Sequence, residues 1–202
     1  IYENCPNDEA HELFKLPEFV NKMMENKWLG SKTGQGFYKK EGKDILTLDL
    51  DTLEYRANKK ASFATLELTK TIEKPIDRFK VLVTGKDKAG DFYRKNFASM
   101  FQYCSNRIPE ITDAFYKIDD AMKAGFGWEN GPFEIWDAIG VEKGIELMKA
   151  EGYQPASWVT DMLASGNTSF YSIKDGATHF YSITNKKVEK VPGQDAFIIL
   201  NN

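Results

Sequence analysis

Residues 121–140, AMKAGFGWENGPFEIWDAIG, constrain the fold more than any other part of this 202-residue chain. Gly125, Gly127, Gly131 and Gly140 are interleaved there with Phe126, Trp128, Phe133 and Trp136, and Pro132 opens a new segment. A proline suits the first helical turn, where its missing N–H leaves no bond unmade. A glycine just past a helix end adopts the left-handed cap without steric penalty. The pattern therefore predicts a helix over 111–124 capped by Gly125, a sharp corner at Gly127 and Gly131, and a helix over 132–139 stopped by Gly140. Phe133, Trp136 and Ile139 fall at i, i+3 and i+6, so this second helix carries an apolar face.

Helices are also predicted over 17–28, stopped by Gly30, and over 59–72. Further helices follow at 76–85, just after Pro75, and at 141–151 and 157–163. Within 87–111, Phe92, Phe97, Met100, Phe101 and Cys104 keep near-helical spacing, and Pro109 ends or kinks that helix. Residues 45–56 alternate apolar and polar side chains over their first half, as a short strand or extended linker does. Beyond Gly166 the texture becomes β-branched and aromatic. SFYSIKDG and THFYSIT flank Asp175-Gly176, a hairpin signal, and the chain closes on the β-rich run AFIILNN. The fold class is mainly α with a small β-rich C-terminal extension.

The net charge of −3 argues against a nucleic-acid or anionic-membrane surface as the main partner. No apolar run approaches the roughly 20 residues of a membrane span. The opening IYENCPNDEA has neither an initiator Met nor the regions of a signal peptide, so both ends are expected to be cut from a longer protein. Cys5 and Cys104 follow no framework spacing, which favours a reducing, cytoplasmic setting.

Candidate chemistry thins out on inspection. GSKTGQG fails the phosphate-loop pattern twice, since Ser31 precedes Lys32 and Asn26 holds the earlier glycine position. GQGFYK places Lys39 where a dinucleotide fingerprint needs its third glycine, so a structural turn is preferred. His11 and His179 lack partners at metal-ligand spacing. No Gly-x-Ser-x-Gly elbow exists, and Cys104 on an apolar helical face packs rather than reacts. Asp119, Asp120, Glu129, Glu134 and Asp137 are the carboxylates available for acid–base work. Glu134 falls in the first turn of its helix, where complementing the macrodipole contributes about 0.3–1 kcal/mol. That role is preferred to catalysis.

IDDAMKAGFGWENGPFEIWDAIG resembles the signature of the helical C-terminal domain of 3-hydroxyacyl-CoA dehydrogenases. The matching positions are Asp119, Ala121, Met122 and Gly125, then Gly131-Pro132-Phe133-Glu134, then Asp137 and Gly140. LGSKTGQGFYKK separately resembles the element with which such a domain ends. The resemblance implies a 6-phosphogluconate dehydrogenase C-terminal-like helical fold. Because the Lys32-Thr33-Gly34 element precedes the Gly131-Pro132 motif, it also implies tandem copies. Residues 1–40 would be the tail of a first helical domain, 41–58 a linker and 59–164 a second copy. Residues 165–202 would be a β-rich connection toward an enoyl-CoA hydratase domain.

The parent would be a multifunctional, NAD-dependent 3-hydroxyacyl-CoA dehydrogenase of fatty-acid β-oxidation. Its catalytic His and Glu would lie on a Rossmann domain upstream of Ile1. The family's helical domain contributes an Asn, and ungapped alignment puts Arg94 there, which implies a second copy without active-site duty. No catalytic, cofactor-binding or metal-ligating residue is therefore assigned to this chain. The second copy would act as a scaffold and pseudo-dimerisation domain, with Phe133 and Trp136 presenting an apolar surface to the first. A fragment with that surface unsatisfied would form a homodimer. Two alternatives stand beside this reading: an acyl-CoA-binding module using Lys32, Lys39, Lys40 and Arg94, or a non-enzymatic interaction domain.

Overall fold

Proline and glycine set many of the element boundaries in the computed structural model, which describes residues 2–193. The chain divides into two compact units, Ile1–Ala61 and Ser62–Asn202.

The first unit holds a 3-10 turn at His11–Phe14, helix α1 (Glu18–Glu25) and a second 3-10 turn at Ser31–Thr33. An antiparallel sheet follows, built from β1 (Tyr38–Glu41), β2 (Asp44–Leu48) and β3 (Tyr55–Ala57) in that order. Helix α1 ends before the predicted Gly30. Lys27 takes the left-handed conformation instead (φ +59°), and Trp28 N–H donates to Met23 O at 2.8 Å. That six-to-one bond terminates a helix without a glycine. Residues 45–56 contain two strands and a turn in place of one strand, because Leu53 supplies the positive φ that reverses the chain. The KTGQG turn is a built object. Thr33 Oγ1 accepts the Leu29 N–H at 3.0 Å, and Gly34 adopts φ +83°. A Cβ on Gly36 would lie 2.8 Å from Gly30 Cα, so only glycine fits there.

The second unit comprises α2 (Ala64–Thr69), α3 (Pro75–Thr84), α4 (Lys88–Asn106) and α5 (Tyr116–Phe126). Then come α6 (Pro132–Ile139), α7 (Val141–Ala150), α8 (Ser157–Ala164) and an antiparallel sheet of β4 (Tyr171–Lys174), β5 (Ala177–Ser182) and β6 (Lys187–Lys190). Pro75 and Pro132 occupy first-turn positions, as expected. Asp175 (φ +51°) and Gly176 (φ +73°) form the two-residue β4–β5 connection, so the hairpin signal was sound. The AFIILNN run lies outside the described residues.

Three boundaries differ from expectation. The helix expected over 59–72 reduces to α2, because its start is fixed by Asp87: Thr65 N–H donates to Asp87 Oδ2 at 2.9 Å and the Thr65 hydroxyl to Oδ1 at 2.7 Å. Residues 111–115 form a turn instead of the first turns of α5. Thr112 Oγ1 accepts the Ala114 N–H at 3.3 Å, a local bond that competes with helix. Gly125 lies inside α5, and the left-handed cap is Gly127 at φ +67°.

Aromatic side chains dominate the core of this unit. Phe101 and Trp136 stack with ring centroids 4.7 Å apart, and Phe115 meets Phe133, Trp158, Phe170 and Phe180. Each such ring contributes roughly 1.5–3 kcal/mol by burial. Phe133 and Trp136 are fully buried here. The expected apolar surface at these two residues is therefore overturned: they pack inside their own unit, because β4 and β5 bring Phe170 and Phe180 over the same cluster. Trp136 Nε1–H donates to Val141 O at 3.0 Å, and its ring lies so close to α7 that a Cβ on Gly144 would overlap it.

Candidate functional site

The corner between α5 and α6 concentrates the signature carboxylates. Helix α6 starts at Pro132 and its preceding glycine has no side chain to cap the orphan N–H groups of the first turn. Asp119 supplies that cap from α5. Its Oδ1 accepts the Phe133 N–H at 2.9 Å and its Oδ2 the Glu134 N–H at 3.1 Å. Gly131 is required for this approach, since a Cβ there would sit 2.3 Å from Asp119 Cβ. Glu134 reaches back to accept the Gly131 N–H at 2.8 Å and pairs with Lys123 Nζ at 2.7 Å. Its preferred reading as a helix-start residue is what the geometry contains.

The same carboxylates hold the second sheet. Asp119 Oδ2 accepts the Tyr171 hydroxyl at 2.8 Å. Asp137, one turn along α6, accepts the Phe170 N–H at 2.7 Å and the Tyr171 N–H at 2.8 Å. Asp119 is completely buried. Burial pushes the carboxyls of Asp119 and Asp137 up to about 7, against the pull of the N–H donors they accept. Burial and the Asp119 charge raise the Tyr171 phenol as well, so it stays protonated. Chemically the corner joins elements, with its carboxylate oxygens turned onto backbone N–H groups.

Residues 92–174 match the family model described as the C-terminal domain of 3-hydroxyacyl-CoA dehydrogenase. The second unit carries a 3-hydroxyacyl-CoA dehydrogenase C-terminal domain. The match runs from α4 through β4, so it takes in the strand that Asp119 and Asp137 bind. The chain is 42% identical over 181 residues to a Bacillus subtilis protein named as a probable 3-hydroxyacyl-CoA dehydrogenase, covering 90% of this chain and 23% of that protein. It is 28% identical over 133 residues to a Rickettsia felis protein named as a fatty acid oxidation complex trifunctional enzyme, covering 64% of this chain and 17% of the relative. A Rickettsia prowazekii protein of the same name is 26% identical over 146 residues, 70% of this chain and 19% of its own length. The chain thus spans less than a quarter of each of these relatives. No solved structure gives a significant match.

Within the dehydrogenase C-terminal domain, Arg94 caps a neighbouring helix. Its Nη1 donates to Val83 O at 3.2 Å and to Gly85 O, at the C-terminus of α3, where a cation suits the dipole. Its Nη2 lies 3.8 Å from Asp91. Of the lysines considered for phosphate binding, Lys39 pairs with Glu41 at 3.1 Å and lies over the Tyr55 ring, while Lys32 and Lys40 are exposed. Those three belong to the first unit and Arg94 to the second.

A groove of about 620 Å³ runs between α4 and α5 and is lined by Tyr103, Cys104, Arg107, Ile111, Ile118 and Met122, among others. Asp119, Glu134 and Asp137 are not among its lining residues. Burial pushes the Cys104 thiol up to about 12, which suits packing. Among the described residues no group of three or more His, Cys, Asp or Glu side chains could hold a metal ion, and no helix is long and apolar enough to cross a membrane.

Sequence reasoning did not find Asp87 or Tyr171. Asp87 had a readable signal, an aspartate immediately before a helix with a small residue at N3. Gly90 N–H indeed donates to it at 3.0 Å. Tyr171 is 52 residues from Asp119 and no local pattern announces the contact.

Proposed function

We propose that this chain is part of a multifunctional, NAD-dependent 3-hydroxyacyl-CoA dehydrogenase that converts 3-hydroxyacyl-CoA to 3-oxoacyl-CoA in the cytoplasm. Its second unit serves as helical scaffold and pseudo-dimerisation domain, with the catalytic His and Glu and the NAD site on a separate Rossmann domain. Residues 1–40 are the tail of a first helical domain, and 165–202 lead toward a hydratase.

One observation carries this reading. The signature carboxylates, which would be the domain's acid–base candidates, accept backbone N–H groups and hold α6 and β4 in place. Arg94, at the position where the family's domain contributes an Asn, is likewise engaged with α3 carbonyls. The first unit supports the tandem part. Among its described residues only Met23 and Leu48 are buried apolar side chains, whereas Leu13, Leu16, Leu29, Phe37 and Ile45 are at least half exposed. A segment of that kind completes its core on another domain.

The decisive assay is NAD reduction with a 3-hydroxyacyl-CoA. The full-length protein turns over, and the 202-residue chain alone does not; turnover by the chain alone would sink the scaffold assignment. With Phe133 and Trp136 buried, a dimer of the chain alone would have to use the exposed Leu13, Leu16, Leu29, Phe37 and Ile45 of the first unit, and sedimentation tests for it. Acyl-CoA binding by this chain is the second reading, weakened because Arg94 and Lys39 already have partners. Calorimetry giving no heat at millimolar acyl-CoA removes it.

A further inference from the structure

Asn130-Gly131 is the chain's only Asn-Gly pair, and its place in the fold is not the usual one. Asn-Gly is ordinarily a turn signal, because both residues accept a left-handed backbone. Here the pair leads into Pro132 and α6, neither residue has a positive φ, and Gly131 is extended (φ −81°, ψ 170°). Glycine is needed at 131 for space against Asp119 and not for turning. What remains unexplained is the chemistry that such a pair carries.

With no side chain on the second residue, its backbone nitrogen has open access to the carboxamide of the first. Deprotonated Gly131 N attacks Asn130 Cγ, the bond from Cγ to Nδ2 breaks, and ammonia leaves with the proton. Water then opens the cyclic imide, giving aspartate by attack at one carbonyl and isoaspartate at the other. Nothing is oxidised or reduced, and water is the one co-reactant. Asn130 is half-buried and lines an open pocket of about 330 Å³ with Tyr93, Asn96 and Trp128, so water can enter and ammonia can leave.

In the closed corner the attacking nitrogen is committed elsewhere. Gly131 N–H donates to Glu134 Oε2 at 2.8 Å, while Glu134 Oε1 accepts from Lys123 Nζ at 2.7 Å. A hydrogen bond to a charged acceptor is stronger than one between neutral groups. It also opposes loss of the proton, since an anionic nitrogen would face a carboxylate at contact distance. Asp119 packs against Gly131 and accepts the next two main-chain N–H groups, of Phe133 and Glu134, which holds the segment rigid.

We propose that Asn130 is a modification site locked by Glu134: its carboxamide deamidates onto the Gly131 nitrogen when the α5–α6 corner opens, and the product does not restore the corner. Isoaspartate lengthens the main chain by a methylene just ahead of Gly131. Either product sets a new carboxylate beside Glu129 and close to Glu134, whose cation Lys123 already serves Asp120 as well. Opening of the corner is thereby recorded irreversibly, whatever reaction the parent enzyme performs.

The test is peptide mapping of the 202-residue chain by mass spectrometry during incubation at pH 8, with fragmentation that separates isoaspartate from aspartate. Deamidation at 130 should be about ten- to a hundredfold slower in the folded chain than in the same chain in urea, the range a charge-assisted hydrogen bond supports. Glu134→Ala should bring the folded chain to within a few fold of the unfolded rate. Asp87→Ala, which weakens the same unit at α2 and α4, should leave the rate at 130 unchanged. Equal rates in the folded and unfolded chain, or equal acceleration by the two substitutions, overturns the proposal. Should Glu134→Ala not fold, Glu134→Gln keeps an acceptor and drops the charge, and an unchanged rate in that variant overturns it instead. The purified deamidated chain should exchange the Phe133 and Glu134 amides at least tenfold faster than the unmodified chain; unchanged exchange refutes the loss of the corner.

Discussion

A glycine and an aspartate share one position in space at the α5–α6 corner, and that contact has consequences for single substitutions. Gly131→Ala drives a methyl group into the Asp119 side chain, so it should destabilise the chain by about 1–3 kcal/mol in chemical denaturation. Gly125→Ala provides the contrast. Gly125 sits inside α5 with open space where a Cβ would go, so alanine should be neutral or stabilising by about 0.5–1 kcal/mol. Equal losses at both glycines would refute this account of the corner. Pro75, Pro132 and the Asp175-Gly176 pair could be read from the sequence because their constraint is local. The partners of Asp119 could not, since they come from residues 14, 15 and 52 positions away.

The helices and sheets of the second unit are held at their ends by borrowed side chains. Asp87 is the N-cap of α4 and also binds α2 through Thr65, and those bonds lower its carboxyl to about 2. A carboxyl depressed by folding contributes stability above the usual carboxylate range, and that stability is lost as pH falls toward 2. Asp87→Asn should therefore flatten the fall in unfolding midpoint between pH 4 and 2, measured by circular dichroism. The β4–β6 sheet is the second element to probe. Deleting residues 167–202 removes Phe170, Phe180 and Tyr181 from the aromatic cluster. The truncated chain should lose its cooperative unfolding transition and bind a hydrophobic dye. A sharp transition after that deletion would show the sheet to be dispensable. Most helices of this unit were legible from their periodicity and punctuation. Of the first sheet only a short strand within 45–56 was legible, because its strands are three to five residues long and its turn uses Leu53.

The two units differ in how far each can sustain itself. Residues 62–202 contain a continuous aromatic core and should fold cooperatively when expressed alone, with dispersed amide resonances. Residues 2–61, with Met23 and Leu48 as their described buried apolar side chains, should not. A folded 2–61 fragment would contradict the view that it completes its core elsewhere. Composition and periodicity could not show this difference, because both units have apolar residues and only the burial separates them. The cap that Asp119 lends to α6 bears on the order in which the larger unit assembles. Eight residues make too short a helix to persist in water alone, and this one has no capping side chain at its N-cap. Helix α6 therefore consolidates only once α5 has docked. Kinetically, Asp119→Ala should slow refolding and leave the unfolding rate nearly untouched if that docking belongs to the rate-limiting nucleus.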